Sequence, residues 1–153
     1  MKKILIISVM ALAILSCTSP KAASTTLSLQ GVWDRMGTIS FENGKAIDTF
    51  PFDGKSKQVK FFSAEHFIFV SNGERLDSLG VDQNIGFAGN GKYEVKNDSL
   101  FEYMSHGTDN YLGWIEGTDK IYKVKINLSE NHYTQYWLDS LGNGRGELYE
   151  RME

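Results

Sequence analysis

The C-terminal part of the chain alternates between apolar and polar residues. In the segment 121–128 the even positions hold tyrosine, valine, isoleucine and leucine, while the odd positions from 123 onward hold two lysines and an asparagine. A period of two predicts a strand with one buried face. Residues 129–131 then predict a turn, 132–138 a returning strand and 147–152 a final strand.

Similar short runs of aromatic and β-branched residues occur upstream. They predict five further strands, at 31–41, 58–63, 66–71, 91–96 and 99–105. The pairs Asn43-Gly44 and Asn97-Asp98 are typical of tight hairpin turns. Residues 72–90 and 107–113 lack such a period and predict loops, which are either the rim of a binding site or plain connections. From residue 27 onward, only one helical turn within 76–85 is expected.

Strands joined by short turns predict an all-β domain of antiparallel neighbours. Since open sheet edges favour aggregation, such a meander is expected to close on itself. The simplest closure is a single up-and-down antiparallel β-barrel of about eight to ten strands. A jelly roll or another sandwich is the alternative. A barrel of this size either holds one small ligand or is filled by its own side chains.

The N-terminus has the pattern of an export signal. Lys2 and Lys3 precede an apolar run at 4–15, and Ser16 is followed by Cys17. This Ser-Cys junction resembles the bacterial lipobox, in which the cysteine is lipidated and becomes the first residue. The pattern predicts a lipoprotein signal peptide at 1–16. A lipidated Cys17 and a flexible tether would then occupy 17–26, and one domain would occupy 27–153.

Two other interpretations of this N-terminus remain open. A transmembrane helix is one, but the apolar run covers only 12 residues, whereas a span needs about 20. A plain secretory signal cut near Ala22-Ala23 is the other. The residue after the cysteine is Thr18 rather than aspartate. By resemblance to enterobacterial sorting, this favours the outer membrane as the location of the exported lipoprotein.

The charge and cysteine content exclude some classes of function. Removal of Lys2 and Lys3 with the signal lowers the 16 basic residues to 14, against 19 acidic ones, so the mature net charge is −5. An acidic chain without clustered Lys and Arg is not expected to bind nucleic acid. Cys17 is the only cysteine. Once it is lipidated, the domain has no disulfide or thiol ligand, and its stability must come from a packed core.

No motif in the chain indicates catalysis, a metal or a cofactor. The three histidines, His66, His106 and His132, lack close metal-ligand spacing. The acids Glu102 and Asp109 could be paired, but acids on strands are usually solvated surface charges. We therefore expect no enzyme, no metal and no cofactor. An enzyme built on a barrel scaffold is a minor alternative.

The aromatic residues suggest a binding cavity. The chain has nine Phe, seven Tyr and three Trp, and several alternate with polar residues, as the lining of an interior would. The candidates are Phe61, Phe67, Phe69, Tyr93, Phe101, Tyr103, Tyr122 and Trp137. Small-molecule sites are largely apolar with a few polar groups. The alternative is that these side chains simply form the core.

The segment Phe67-Ile68-Phe69-Val70 is apolar at every position. A strand that is buried on one face only should alternate. Either another part of the chain covers its outer face, or that face binds a partner, such as another protein or a second copy of the chain.

The first predicted strand begins with Gly31-Val32-Trp33, and the last contains Arg151. A Gly-x-Trp at the first strand of a small secreted all-β chain resembles the lipocalin superfamily. Over residues 27–153 the chain resembles the small lipocalin-like lipoproteins of Bacteroidetes, a family of unassigned function. The resemblance implies that Trp33 closes one end of the barrel and that Arg151, or else Arg145, packs across it. The Arg-x-Tyr pair of fatty-acid-binding members is missing, so the resemblance does not imply a fatty acid ligand.

Two hypotheses of function follow. In the first, a lipid-anchored barrel of the cell envelope holds a small apolar or amphipathic molecule, and the membrane contact is made by the lipid on Cys17 alone. In the second, the barrel is filled, and its outer surface binds a protein or an envelope polymer without catalysis.

Overall fold

The computed structural model describes residues 27–52, 54, 56–76, 82–114 and 119–152. The predicted signal peptide, the lipidated Cys17 and the tether lie outside the described residues. Among the described residues, no helix has the length and apolar character needed to cross a bilayer.

Nine strands and one short helix make up the described part of the chain. The elements, in order, are β1 (Gly31–Glu42), β2 (Lys45–Pro51), β3 (Lys57–Phe62), β4 (His66–Leu76), β5 (Asp82–Lys96), β6 (Ser99–Gly107), α1 (Asp109–Trp114), β7 (Ile121–Leu128), β8 (His132–Leu138) and β9 (Gly144–Met152). The strands at 121–128 and 132–138 have the predicted bounds.

The strands form one antiparallel sheet that closes on itself. Its order is β2-β1-β3-β4-β5-β6-β7-β8-β9, and β1 also pairs with β9. The closing register runs from Val32 opposite Met152 to Phe41 opposite Gly144. The predicted all-β, up-and-down antiparallel barrel is confirmed. The sandwich alternative is excluded, because a single continuous sheet joins the first strand to the last.

Two of the hairpins are set by residues in the left-handed region. Asn43 and Gly44 have φ angles of 50° and 74°, and Asn97 and Asp98 have 48° and 57°. Two successive positive φ angles give a turn whose twist matches that of the flanking strands. Asn, Asp and Gly tolerate this conformation best, which explains why these pairs mark the β1–β2 and β5–β6 connections.

The predicted loop at 72–90 is wrong. The ladder between β4 and β5 continues to Leu76 opposite Asp82, so both strands extend well into this region, and no helical turn is found at 82–85. One of the glycines that suggested a loop, Gly89, has another cause. A Cβ at Gly89 would collide with the side chains of Met104 and Phe69, so this glycine permits close packing inside the barrel.

Two elements were not predicted. Every residue of β2 is exposed, so the strand shows no alternation between a buried and a solvated face. Helix α1 has six residues and lies where 107–113 predicted a loop. A helix of this length is too short to show a period of 3.6.

One end of the barrel is closed by Trp33, which is fully buried. Its indole Nε1 donates a hydrogen bond to the Leu29 carbonyl oxygen at 2.6 Å. The guanidinium carbon of Arg151 lies 4.1 Å from the centroid of the indole, and Tyr133 packs edge-on against Trp33 at 4.9 Å. Cation–π attraction and aromatic packing therefore hold this floor together.

Candidate functional site

A cavity of about 850 Å³ occupies the barrel between the Trp33 floor and α1. Its lining comes from most of the strands and from the short helix. The lining residues are Arg35, Gln58, Lys60, Phe69, Ser71, Asn84, Ile85, Gly86, Phe87, Glu102, Asn110, Tyr111, Tyr122, Gln135, Trp137 and Glu147. This volume lies within the range of about 300–1,000 Å³ that is usual for small-molecule sites.

Aromatic side chains form part of the cavity wall. The ring of Tyr111 from α1 packs edge-on against Phe69 of β4, with centroids 4.7 Å apart. Tyr122 of β7 packs in the same way against Trp137 of β8 at 5.8 Å. Phe87 also lines the cavity. The four rings of the two pairs supply an apolar surface with fixed geometry, because each is held by its partner ring.

Polar side chains lie beside these rings and include a buried ion pair, since Lys60 is opposite Phe69 and Glu102 is opposite Tyr122 in the ladders. Lys60 Nζ lies 2.7 Å from Glu102 Oε1, and the two side chains are 3% and 1% exposed. The same ammonium group donates to Gln135 Oε1 at 3.1 Å. A buried charge is tolerated only when it is paired and hydrogen-bonded, and both conditions are met at Lys60.

A second ion pair continues this network. Arg35 Nη1 lies 3.0 Å from Glu147 Oε1, with side chains 17% and 13% exposed. Glu147 Oε2 accepts hydrogen bonds from Gln135 Nε2 at 2.5 Å and from the Tyr149 hydroxyl at 2.8 Å. Gln135 therefore bridges the two pairs, since its oxygen binds Lys60 and its nitrogen binds Glu147.

Gln58 closes the network on its other side. It accepts from Arg35 Nη1 at 3.1 Å and donates to the Tyr149 hydroxyl oxygen at 2.8 Å. The guanidinium carbon of Arg35 also lies 4.6 Å from the centroid of the Phe52 ring. We call these seven residues the polar network: Arg35, Gln58, Lys60, Glu102, Gln135, Glu147 and Tyr149.

The tyrosines of the cavity are held in their neutral form. Burial raises the pKa of the Tyr122 hydroxyl well above its ordinary value of 10.0, and the carboxylates of Glu147 and Glu102 add to the shift. Burial and the same two carboxylates also raise the pKa of Tyr111. Near neutral pH both hydroxyls therefore carry a proton.

Three of the eight predicted lining residues line the cavity, namely Phe69, Tyr122 and Trp137. Phe67 and Tyr93 contribute to the packed region around Phe62 at the closed end instead. There the Tyr93 hydroxyl donates to the Ser63 carbonyl oxygen at 2.8 Å.

The other three predicted residues do not line the cavity. Phe61 is 45% exposed, between the buried residues Lys60 and Phe62. Lys123 Nζ lies 5.2 Å from the centroid of the Phe101 ring, and the Tyr103 hydroxyl donates to Glu94. Phe101 and Tyr103 alternate with Leu100, Glu102 and Met104, which are buried, so both are on the outer face of β6.

The expectation that Glu102 is a solvated surface acid is wrong. Its carboxylate is buried against Lys60, whereas its suggested partner Asp109 lies at the exposed start of α1. Sequence reasoning also missed Lys60, Gln135 and Glu147. The alternation along the strands held a signal for two of them. Lys60 lies two residues before Phe62, and Gln135 lies two residues after Tyr133, so each shares a strand face with an aromatic residue.

The histidines lie away from the cavity. All three are exposed, and His132 Nε2 lies 3.7 Å from Glu150 Oε1 on the surface. Within the described ranges, no three of the His, Cys, Asp and Glu side chains are grouped closely enough to hold a metal ion.

An apolar patch occupies the outer face of β3 and β4. Phe61, Ile68 and Val70 are 45%, 49% and 57% exposed. Phe61 lies directly opposite Ile68 in the ladder, and Val70 lies opposite Val59. Both strands have neighbours on each side, so this outer patch belongs to the interior of the sheet and not to an edge.

Comparison of the sequence with protein-family models and with curated proteins gives no match. The cavity and the outer patch are therefore the features from which a function can be inferred.

Proposed function

We propose that this chain is a non-enzymatic binding protein that holds a small amphipathic molecule in the barrel cavity. The observation that carries the proposal is the cavity of about 850 Å³ whose lining combines aromatic side chains with a buried polar network. A ligand with an apolar body and polar groups can contact both kinds of side chain. Burial of its apolar surface would supply about 25 cal/mol per Å².

A fluorescent apolar probe, N-phenylnaphthylamine, tests this proposal. It should bind the wild-type domain, and Trp137→Ala should weaken binding at least about tenfold, because the indole is part of the aromatic wall. Phe101→Ala is the matched control, since Phe101 is an aromatic residue of the outer face. Equal binding by the wild type and Trp137→Ala would contradict binding in the cavity. Native mass spectrometry of protein from its own host would then identify the natural ligand.

We also propose that the domain is tethered to the envelope, on the outer membrane, by a lipid on Cys17. The support is the Lys2-Lys3 start, the apolar run 4–15 and the Ser16-Cys17 junction. Mass spectrometry of the mature N-terminus should find a diacylglyceryl cysteine as the first residue. Cys17→Ala should release the protein from membranes. An unmodified N-terminus beyond residue 17 would refute the anchor.

Membership of a lipocalin-like family is a proposal as well. Its support is the closed antiparallel barrel, together with a buried Trp33 on β1 that is covered by Arg151 of β9. A structure of a relative with detectable sequence similarity and the same contact would test it. A relative whose sheet does not close through its first and last strands would count against it.

The outer patch supports a second candidate function, in which the barrel binds another protein or a second copy of itself. Large apolar side chains on neighbouring strands rarely remain exposed together without a partner. Ile68→Glu should then abolish association, measured by analytical ultracentrifugation or by capture from envelope extracts, with little change in melting temperature. Asn127→Glu on β7 is the control, since Asn127 is exposed and alternates with the buried Ile126. Unchanged association in Ile68→Glu would reject this function.

A further inference from the structure

The basic and acidic side chains of the described cavity lining pair with one another. They are two bases and two acids: Arg35, Lys60, Glu102 and Glu147. Lys60 is paired with Glu102 at 2.7 Å, and Arg35 with Glu147 at 3.0 Å. The lining tyrosines stay neutral, since burial raises the pKa of both. The described lining therefore has no net charge with which to compensate a charged ligand.

This arrangement differs from a site built for an anion. An anion-binding cavity presents a cation whose partner is the ligand itself. Here each cation already has a carboxylate within ion-pair distance, so a ligand carboxylate or sulfonate would lie beside Glu102 or Glu147. Such a ligand would lose its hydration without gaining a counter-charge, which is unfavourable in a site of low dielectric.

The polar network still offers hydrogen bonds to a neutral molecule. Arg35 has one buried donor, Nε, without a hydrogen-bond partner in the described part of the chain. The amides of Asn84 and Asn110 and the hydroxyl of Ser71 also belong to the lining. Carbonyl, ether, hydroxyl or amide groups of a ligand can pair with such groups without adding charge.

We infer that the cavity selects uncharged, hydrogen-bonding amphipathic molecules and discriminates against anionic amphiphiles such as fatty acids, because the two cations of its described lining are each neutralised by a cavity carboxylate. This inference rests on the proposed binding function and specifies the class of ligand.

Two dyes that differ by one anionic group provide the test. N-phenylnaphthylamine is neutral, and anilinonaphthalene sulfonate has the same rings with an added sulfonate. The wild-type domain should bind the neutral dye at least about tenfold more tightly than the anionic one, a difference of about 1.4 kcal/mol. Ser71→Trp should place an indole inside the cavity and weaken the binding of both dyes, which separates cavity binding from adsorption to the outer patch.

A charge variant makes the test specific to the network. Glu147→Gln removes one carboxylate and leaves Arg35 uncompensated, so affinity for the anionic dye should rise at least about tenfold, while affinity for the neutral dye should change less than about threefold. Glu150→Gln makes the same change in net charge on the exposed face of the same strand and should alter neither affinity.

The outcomes separate the two claims. Equal binding of both dyes by the wild type, or tighter binding of the sulfonate, would overturn the charge selectivity and leave the cavity function standing. Binding of neither dye would overturn the proposed function and the inference with it. If Glu147→Gln fails to fold, the comparison of the two dyes on the wild-type protein still tests the charge selectivity.

Discussion

The ammonium of Lys60 and the carboxylate of Glu102 form an ion pair at 2.7 Å inside the barrel, where both side chains are almost completely buried. The two residues come from β3 and β6, which are not neighbours in the sheet. The pair therefore crosses the interior rather than running along the wall. It links opposite sides of the barrel and separates the packed closed end from the cavity.

Removal of one partner of this pair should destabilise the protein much more than removal of both partners. Lys60→Met should lower the free energy of unfolding by about 3–5 kcal/mol, because Glu102 would be left buried without a counter-charge. The double variant Lys60→Met/Glu102→Leu should recover much of that loss. Urea denaturation of the wild type, the single variants and the double variant measures the coupling.

Lys96→Met is the matched control for that cycle. Lys96 pairs with Glu94 at 2.8 Å, but its side chain is 63% exposed, so its loss should change stability little. Equal effects at Lys60 and Lys96, or an additive double variant, would contradict the role given to the buried pair.

Arg151 should stabilise the closed end through both its charge and its hydrogen bonds. Its guanidinium covers Trp33 and donates to the carbonyl oxygens of Ser28, Gln30 and Glu130. Arg151→Met should cost about 1–3 kcal/mol and should speed hydrogen exchange at 27–33. Arg145 is exposed on the same strand, so Arg145→Met should change neither the free energy of unfolding nor the hydrogen exchange at 27–33. Unchanged exchange in Arg151→Met would refute this role.

The buried tyrosines should make the protein unfold at high pH. Burial raises the pKa of Tyr133 and Tyr149 well above the ordinary value of 10.0. In the unfolded chain these groups ionise near pH 10.0, so the stability that their neutral forms contribute is complete below that pH and is lost as pH rises toward the folded values. Tyrosinate absorbance should therefore increase in the same cooperative step as unfolding. A gradual increase with an unchanged melting temperature would contradict this.

Asp139 should contribute stability that depends on acid pH. Its Oδ1 accepts hydrogen bonds from the backbone amides of Leu141 and Asn143 at 2.8 and 2.9 Å. These bonds, with that from Asn143 the largest cause, hold the pKa of Asp139 below its ordinary value of 3.8. Its contribution is then complete above pH 3.8 and is lost as pH falls through the folded value.

Chemical denaturation of Asp139→Ala over a range of pH checks this. The stability difference from the wild type should be constant from neutral pH down to mildly acidic pH and should shrink below the ordinary pKa of aspartate. Ser140→Ala in the same turn should give no such profile. A difference that persists at low pH would show that the carboxylate charge is not responsible.

The sequence predicted the sheet much better than the site. Alternation at 121–128 and 132–138 and the Asn-containing turns depend on local residue types, and local patterns predict strands and hairpins well. The assignment of side chains to the inner or the outer face failed where the odd and the even positions of a strand are both apolar. Phe61 and Phe62 are equally aromatic, so β3 could be read in two ways that differ by one residue.

The polar network could not be predicted for a related reason. A charged residue within a strand usually points to solvent, and that rule assigns Glu102 and Lys60 to the outer face. Each of them is buried only because the other is present across the barrel. Alternation can place Lys60 on the face of Phe62, but the two partners are 42 residues apart in sequence, so no local pattern shows that they pair. The pairing depends on the closed sheet and its register.

The first strand has a central place in assembly. It pairs with β2 and β3 along one side and with β9 along the other. The ladder at Val32 is therefore complete only when Met152, the last described residue, has paired with it. Contacts between residues so far apart in sequence are formed late and make folding slow. A nascent chain cannot complete this barrel before its final strand has been synthesised, because the closing ladder needs β9.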